Sequence, residues 1–222
     1  QENIFCFNDL FDINNSESTI LIDNKCDSIN YGTCLPCIEP PFPQDAVQID
    51  SCQVLNQPNK YYVLNKSLID SDVKNTGSGC FSIYENNVTL NCDNHIISSS
   101  TFTLPGIYSS GFNTTIKNCD VDVNDGPGLG VGVRFYGGGN NQIIDSIFNS
   151  NVAGIYVQSS SNNSFQGNTL SSNLYGLYLQ GGSYNEFFNN NICTNTNDLF
   201  CSSSQTDLGG NTCSPNTCGI TC

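Results

Sequence analysis

The second half of the chain repeats itself with a step of 22 residues, and that period limits the fold more than any other feature. Gly132-Val133-Arg134-Phe135, Gly154-Ile155-Tyr156-Val157, Gly176-Leu177-Tyr178-Leu179 and Asp198-Leu199-Phe200-Cys201 recur at that step. So do Asn141-Gln142-Ile143, Asn163-Ser164-Phe165 and Asn185-Glu186-Phe187, and also Ser146-Ile147-Phe148, Asn168-Thr169-Leu170 and Asn190-Asn191-Ile192. Toward the N-terminus the step lengthens to 26. There Cys80-Phe81-Ser82-Ile83 matches Gly106-Ile107-Tyr108, and Asn87-Val88-Thr89-Leu90 matches Asn113-Thr114-Thr115-Ile116. Each repeat holds short alternating stretches of Val, Ile, Leu and Phe, broken by Asn, Gly and Ser. That is strand-and-turn chemistry, since a helix would show an apolar stripe every 3.6 residues or so.

A period of this length with several short strands fits one turn of a parallel β-solenoid. The leucine-rich-repeat pattern L-x-x-L-x-L-x-x-N is missing. Successive coils of a solenoid lie about 4.8 Å apart, so residues one period apart stack directly. Phe81, Ile107, Val133, Ile155, Leu177 and Leu199 are then expected to form one inward ladder, with Ile83, Ser109, Phe135, Val157, Leu179 and Cys201 beside it. Leu90, Ile116, Ile143, Phe165 and Phe187 make another on a second sheet, and Ser146, Asn168 and Asn190 a turn ladder of stacked polar groups. Five or six coils fit between Tyr61 and Cys201.

The segment Asn87-Val88-Thr89-Leu90-Asn91-Cys92-Asp93-Asn94-His95-Ile96, followed by Gly106-Ile107-Tyr108 and Asn113-Thr114-Thr115-Ile116-Lys117-Asn118-Cys119, resembles the coils of the pectin-lyase-like superfamily. The likeness is greatest to the repeats of carbohydrate-binding and sugar-hydrolase modules, whose opening coil reads N-V-T-L-D-G-x-G-H-x-I. This chain departs at Asn91, Cys92 and Asn94, where Asp, Gly and Gly are commoner. The resemblance spans roughly residues 60 to 205 and implies an all-β, right-handed parallel β-helix. It says little of activity, because the superfamily includes lyases, hydrolases, adhesins and structural proteins.

The ends lack the repeat. Residues 1–55 are expected to be a Cys-rich cap or arm, residues 56–205 the β-helix and residues 206–222 a second Cys-rich cap, because a solenoid's terminal edges need covering. Ser18-Thr19-Ile20-Leu21-Ile22 could add a strand to the first cap. Thirteen cysteines point to an oxidising compartment outside the cytosol. Cys6, Cys26, Cys34, Cys37, Cys52, Cys80, Cys92, Cys193, Cys201, Cys213, Cys218 and Cys222 are the disulfide candidates, in a connectivity that sequence does not give. The odd count leaves at least one cysteine free or paired between chains, and Cys119, in register with inward Ser146 and Asn168, is the candidate for a buried free thiol. Cys34-Leu35-Pro36-Cys37 has redox or zinc spacing but neither a βαβ context nor a second pair, so it reads as structural. Gln1 reads as the start of a mature chain whose signal peptide has been removed.

Charge narrows the partners. Only 12% of residues are charged, against about 25% in typical domains, and 6 Lys+Arg face 20 Asp+Glu for a net charge of -14. No basic stripe exists for nucleic acid, and no apolar run approaches the roughly 18 residues of a membrane span. Few cations also mean little positive self-repulsion once carboxylates protonate, so tolerance of acid is expected. Sequons stand at Asn14, Asn65, Asn87, Asn113 and Asn162, all candidates for glycosylation.

Catalytic patterns are scarce. No register stacks carboxylates: Asp145 meets Gly167 and Asn189, and Asp198 meets Gly176 and Gly154. The galacturonase-like set of paired Asp, G-H-G and R-I-K is not found; His95 is the one histidine and Arg134 the one arginine. Asp120, Asp122 and Asp125 faintly resemble a Ca²⁺ loop, but Asp125 replaces its Gly and Val131 its Glu, so the alternation reads as a strand with solvated acids. Gly126 to Gly132 opens a strand, not a helix, and reads as an inserted turn rather than a phosphate loop. One outward ladder is richer. Tyr108, Arg134, Tyr156, Tyr178 and Phe200 stack after Ser82, flanked by Tyr84, Ser110, Tyr136, Gln158, Gln180 and Ser202. Such a face suits simple cross-strand support, self-association or a sugar ring. The chain is therefore expected to be a non-enzymatic, self-associating surface-layer or filament subunit, its partner itself or a cell-surface glycan. The alternatives are a carbohydrate-binding module, a polysaccharide lyase or hydrolase, or one module of a longer adhesin.

Overall fold

The computed structural model describes the strands Cys26–Asn30 and Thr33–Pro36 and residues 42–123, 130–213 and 218–221. The chain divides into two compact units, Gln1–Gln44 and Asp45–Cys222. In the first, Cys26–Asn30 pairs antiparallel with Thr33–Pro36, with an irregularity between Cys26 and Ser28. The expected strand Ser18–Ile22, together with Cys6, Asn14, Cys37, Asp125 and Cys222, lies outside the described residues.

The second unit is a parallel β-helix with three sheets of seven, eight and six strands. One full coil runs from Val131–Tyr136 in the seven-stranded sheet through Gln142–Ile144 in the eight-stranded sheet to Ile147–Asn149 in the six-stranded sheet. The next coil repeats this with Ala153–Gln158, Ser164–Gln166 and Thr169–Ser171, each paired in parallel with its counterpart. The strands begin at Val47 rather than at residue 56, and Val47–Ile49 and Gln53–Leu55 pair into the sheets. Residues read as cap are thus part of the first coil, where Leu55 and Ile49 extend the core. The last pairing strand is Thr206–Asp207.

Every expected apolar ladder is present. Phe81, Ile107, Val133, Ile155, Leu177 and Leu199 are register partners in turn, as are Leu90, Ile116, Ile143, Phe165 and Phe187. Alternation along each strand sends these residues into the core, where Phe81, Phe135, Phe148, Phe165 and Phe187 are the bulkiest fully buried side chains.

The corners are held by three polar ladders, where sequence spacing indicated one. Between the eight- and six-stranded sheets, the backbone N–H groups of Ser146, Asn168 and Asn190 donate to the side-chain oxygens of Asn168, Asn190 and Asn211 at 2.9–3.0 Å. A second ladder runs through Thr114, Asn141, Asn163, Asn185 and Gln205. A third joins Val123, Asn151, Asn173, Asn195 and Asp198. A bend in a buried strand strands its N–H groups, and an inward Asn on the next coil satisfies them. One break confirms the logic. Asn163 Nδ2 donates to Ser160 Oγ, but one period earlier stands Gly138, and the buried Asn141 Nδ2 has no partner. A Cβ on Gly138 would lie 2.4 Å from the Gly111 carbonyl oxygen, so no larger residue fits there.

Two disulfides use the same stacking. Cys52–Cys80 and Cys92–Cys119 each join adjacent coils at Cα separations of 4.7 Å, within the range a disulfide spans. Cys119 is therefore not the free thiol: the coil before it places Cys92 in the same register. The free cysteine among the described residues is Cys193, expected in a disulfide. It follows the strand Asn191–Ile192, whose neighbour Thr169–Ser171 offers no cysteine, and Cys213, beside Thr212 on the other side, is disulfide-bonded elsewhere. Cys201–Cys218 pins the C-terminal segment, burying Ile220, and Cys213 is disulfide-bonded as well.

The C-terminal end depends on Asp207. Its carboxylate accepts hydrogen bonds from Gly209 N–H, Thr221 N–H and Asn211 Nδ2 at 2.8–2.9 Å. The Gly209 and Thr221 amides, and then Asn211, hold it below the usual carboxylate range. The stability it contributes is complete above the ordinary Asp pKa, about 3.9, and is lost as pH falls through the lowered value. Asp120 and Asp122 have the opposite sign. Burial pushes both up, with Asp122 adding repulsion at Asp120, so their protonation in acid relieves a cost. In acid, amide exchange should rise first across residues 206–213 and 218–221, while the coils around Asp120 hold. Uniform loss of protection across the unit would contradict this.

Candidate functional site

The outer face of the seven-stranded sheet gathers the candidate residues. Tyr108, Arg134, Tyr156, Tyr178 and Phe200 are consecutive register partners on adjacent strands. Tyr136, two residues beyond Arg134, pairs with Gln158, which pairs with Gln180. All six singled-out residues, Tyr136 included, thus share one face.

Their packing is specific. Tyr178 and Phe200 stack at 4.9 Å between centroids and 12° between planes, and Tyr156 meets Tyr178 edge-on at 5.2 Å. The Arg134 guanidinium lies over Tyr136 at 5.5 Å and Tyr156 at 5.1 Å, and its Nη2 donates to Gln158 Oε1 at 2.6 Å. Tyr156 donates its hydroxyl to Gln180 Oε1. Burial pushes the Tyr108 and Tyr156 hydroxyls up, against the pull of Arg134, so both stay neutral well beyond neutral pH. Tyr136 and Phe200 remain substantially exposed, at 49% and 39%. The outward positions of this face carry no carboxylate along either column, Ser82 to Phe200 or Tyr84 to Ser202.

Tyr175 is an addition that alternation concealed. It falls in the phase of inward Leu177, yet it starts its strand at a corner. Its ring reaches Tyr178 at 5.0 Å and Phe200 at 6.5 Å. Only its aromatic character in an otherwise small-residue column, after Val131 and Ala153, could have signalled this.

The other candidates lie apart. Asn87, Asn113 and Asn162 stand exposed at one corner with φ of 58°, 55° and 57°, a conformation that Asn tolerates best after Gly. Asn113 Nδ2 donates to Asn87 Oδ1 at 2.9 Å, and Asn87 Nδ2 to Asn59 Oδ1 at 2.7 Å. The sequon is thus the fold's own corner pattern, a left-handed Asn followed by an inward residue and an outward Thr or Ser. Asn65 is exposed at a different turn. Asp120 and Asp122 occupy the outer face of the six-stranded sheet, with Val121 and Val123 fully buried between and after them. Asp120 stacks between Ile96 and Ile147. Among the described residues, no group of three or more His, Cys, Asp or Glu comes together in a way that could hold a metal ion.

The described residues include no helix long and apolar enough to cross a membrane. Cysteines joined in disulfides put the chain in an oxidising, extracytoplasmic compartment. No curated protein matches the chain. One family model does, described as periplasmic copper-binding protein (NosD), and it covers residues 46–222, which takes in nearly the whole β-helical unit. The chain belongs to the NosD family.

Proposed function

We propose that the protein is a non-enzymatic extracellular structural subunit whose copies associate through the tyrosine face into a surface layer or filament. The observation that carries this reading is a face of Tyr, Phe, Gln and a single Arg, free of carboxylates, on a chain with 20 Asp+Glu and 6 Lys+Arg. Contact made there keeps most acids of two like-charged copies apart, and its composition is that of interface cores, rich in aromatics and Arg.

Catalysis finds little support. Asp120 and Asp122 share a face, but their register neighbours are Ile96, Ile147 and Ser98, so among the described residues no third group in register completes a hydrolase or lyase site. The family description names copper, whose sites are built from Cys, Met and His. This chain has no Met and one His. His95 precedes the strand Ile96–Ser99, and the free Cys193 follows Asn191–Ile192, three intervening strands away. Four steps of about 4.8 Å put them roughly 19 Å apart along the axis, far beyond shared coordination. The described donor set does not fit copper.

A glycan-binding role is favoured by one feature, the Gln158 and Gln180 amides set beside the rings. A Tyr178→Ala variant tests the main reading, because Tyr178 touches Tyr156, Tyr175 and Phe200 at once. Light scattering over a concentration series should show wild type associating and the variant staying monomeric, with unchanged circular dichroism. Monomers alone for wild type, together with retention on a glycan array, would replace self-association with sugar binding.

A further inference from the structure

Arg134 is the sole arginine of a chain that carries 20 acidic residues, and it stands at the centre of a face without any. The ion pairs of the described residues are Lys60–Asp45 at 3.0 Å and Lys66–Asp72 at 3.9 Å; Arg134 has none. Of its five N–H donors, one is met by Gln158 Oε1, and the buried Nε has no acceptor at all. The guanidinium lies over both the Tyr136 and Tyr156 rings and is tied to Gln158, so its position is set before any partner arrives. A half-buried guanidinium with unfilled donors favours a carboxylate, the planar acceptor it binds bidentately.

We propose that Arg134 is the socket for a carboxylate of a second copy of this chain, and that the contact is heterologous, tyrosine face against a different, acidic face. This rests on the self-association reading and gives it a geometry. A two-fold contact of this face with itself would bring Arg134 against rings and amides, with no carboxylate to meet. Exposed acids among the described residues lie off this face: Asp93 and Asp145 at the corner beyond the eight-stranded sheet, Glu186 on that sheet's outer face, and Asp50 and Asp70 in the N-terminal coils, with Asp45 and Asp72 already paired to lysines. Each copy therefore offers a socket on one face and carboxylates on another. A contact between unlike faces does not close on itself as a dimer does; it propagates into an open array or a ring.

The test uses wild type, Arg134→Gln and Arg134→Lys, read by sedimentation velocity and negative-stain imaging, with circular dichroism as the folding control. Arg134→Gln alone should associate at least about tenfold more weakly, the scale of losing one charged anchor at an interface. Arg134→Lys should fall between it and wild type, because the charge survives while the fork is lost. Added in sub-stoichiometric amounts, folded Arg134→Gln should shorten wild-type arrays. Each variant copy still presents its carboxylates to a neighbour's socket but cannot engage the next copy. Wild-type dimers of fixed size, unaffected by the added variant, would overturn the heterologous geometry. Arg134→Gln arrays as long as wild type would overturn the socket and leave self-association standing. Wild type that stays monomeric would remove both.

Discussion

Asn168→Ala is expected to destabilise the β-helix by about 3 kcal/mol, the cost of orphaning a buried N–H and breaking two further buried hydrogen bonds. Asn168 is completely buried. Its Oδ1 accepts Ser146 N–H at 3.0 Å, and its Nδ2 donates to the Ile143 carbonyl at 2.8 Å and to Asn190 Oδ1 at 3.0 Å. Alanine leaves the buried Ser146 N–H without its acceptor and removes the amide whose hydrogen bonds the Ile143 carbonyl and Asn190 Oδ1 accept. Water cannot easily replace the amide, because Ser146, Asn168 and Asn190 are all buried. Coils of a solenoid couple to their nearest neighbours, so the damage should be local. Hydrogen exchange should accelerate across residues 142–171, while Tyr61–Leu64 and Thr89–Asn91 keep their protection. If Asn168→Ala costs no more than an exposed Asn→Ala change, the ladders are not what holds the corners.

Phe165→Ala is expected to cost about 4 kcal/mol, combining lost transfer free energy with the cavity left behind. Phe165 is 1% exposed, stacks on Phe187 at 5.0 Å with 25° between rings, and follows Ile143 in the ladder. Backbone hydrogen bonds to the strands on either side prevent the neighbouring coils from closing the gap. The urea midpoint should fall, and a Phe165→Leu variant should recover more than half of the loss. Equal losses for Ala and Leu would point to ring stacking, rather than filled volume, as the main contribution.

The period was legible because the fold repeats one chemical demand per coil. An apolar residue, an inward Asn and a left-handed corner must each recur at the coil spacing, and this writes itself into the sequence as columns. What stayed hidden breaks that regularity. The second and third Asn ladders change residue type along their length, from Thr114 or Val123 through Asn to Gln205 or Asp198, so no single column of identical residues announces them. The first coil was read as cap because Val47–Ile49 and Gln53–Leu55 sit between Cys and Pro residues with irregular spacing. The Cys92–Cys119 bridge crosses a step longer than 22, and matching Cys119 only to the later coils made it look like a solitary thiol. Of the site, the column from Tyr108 to Phe200 followed from the repeat. The placement of Arg134 over two tyrosine rings and the arrival of Tyr175 did not, because both depend on how side chains turn rather than on register.

The chain uses its columns for two ends. Inward columns of Phe, Ile, Leu and Asn make a scaffold that does not rely on charge, and one outward column, on a carboxylate-free face, presents aromatic rings around a single guanidinium. The central claim is that this face joins copies to one another. Negative-stain imaging of the purified protein through a concentration series tests it most directly. The account predicts particles that join into open arrays as concentration rises and fall apart when Tyr178 is replaced by alanine; isolated particles at every concentration, with wild type and variant alike, would contradict it.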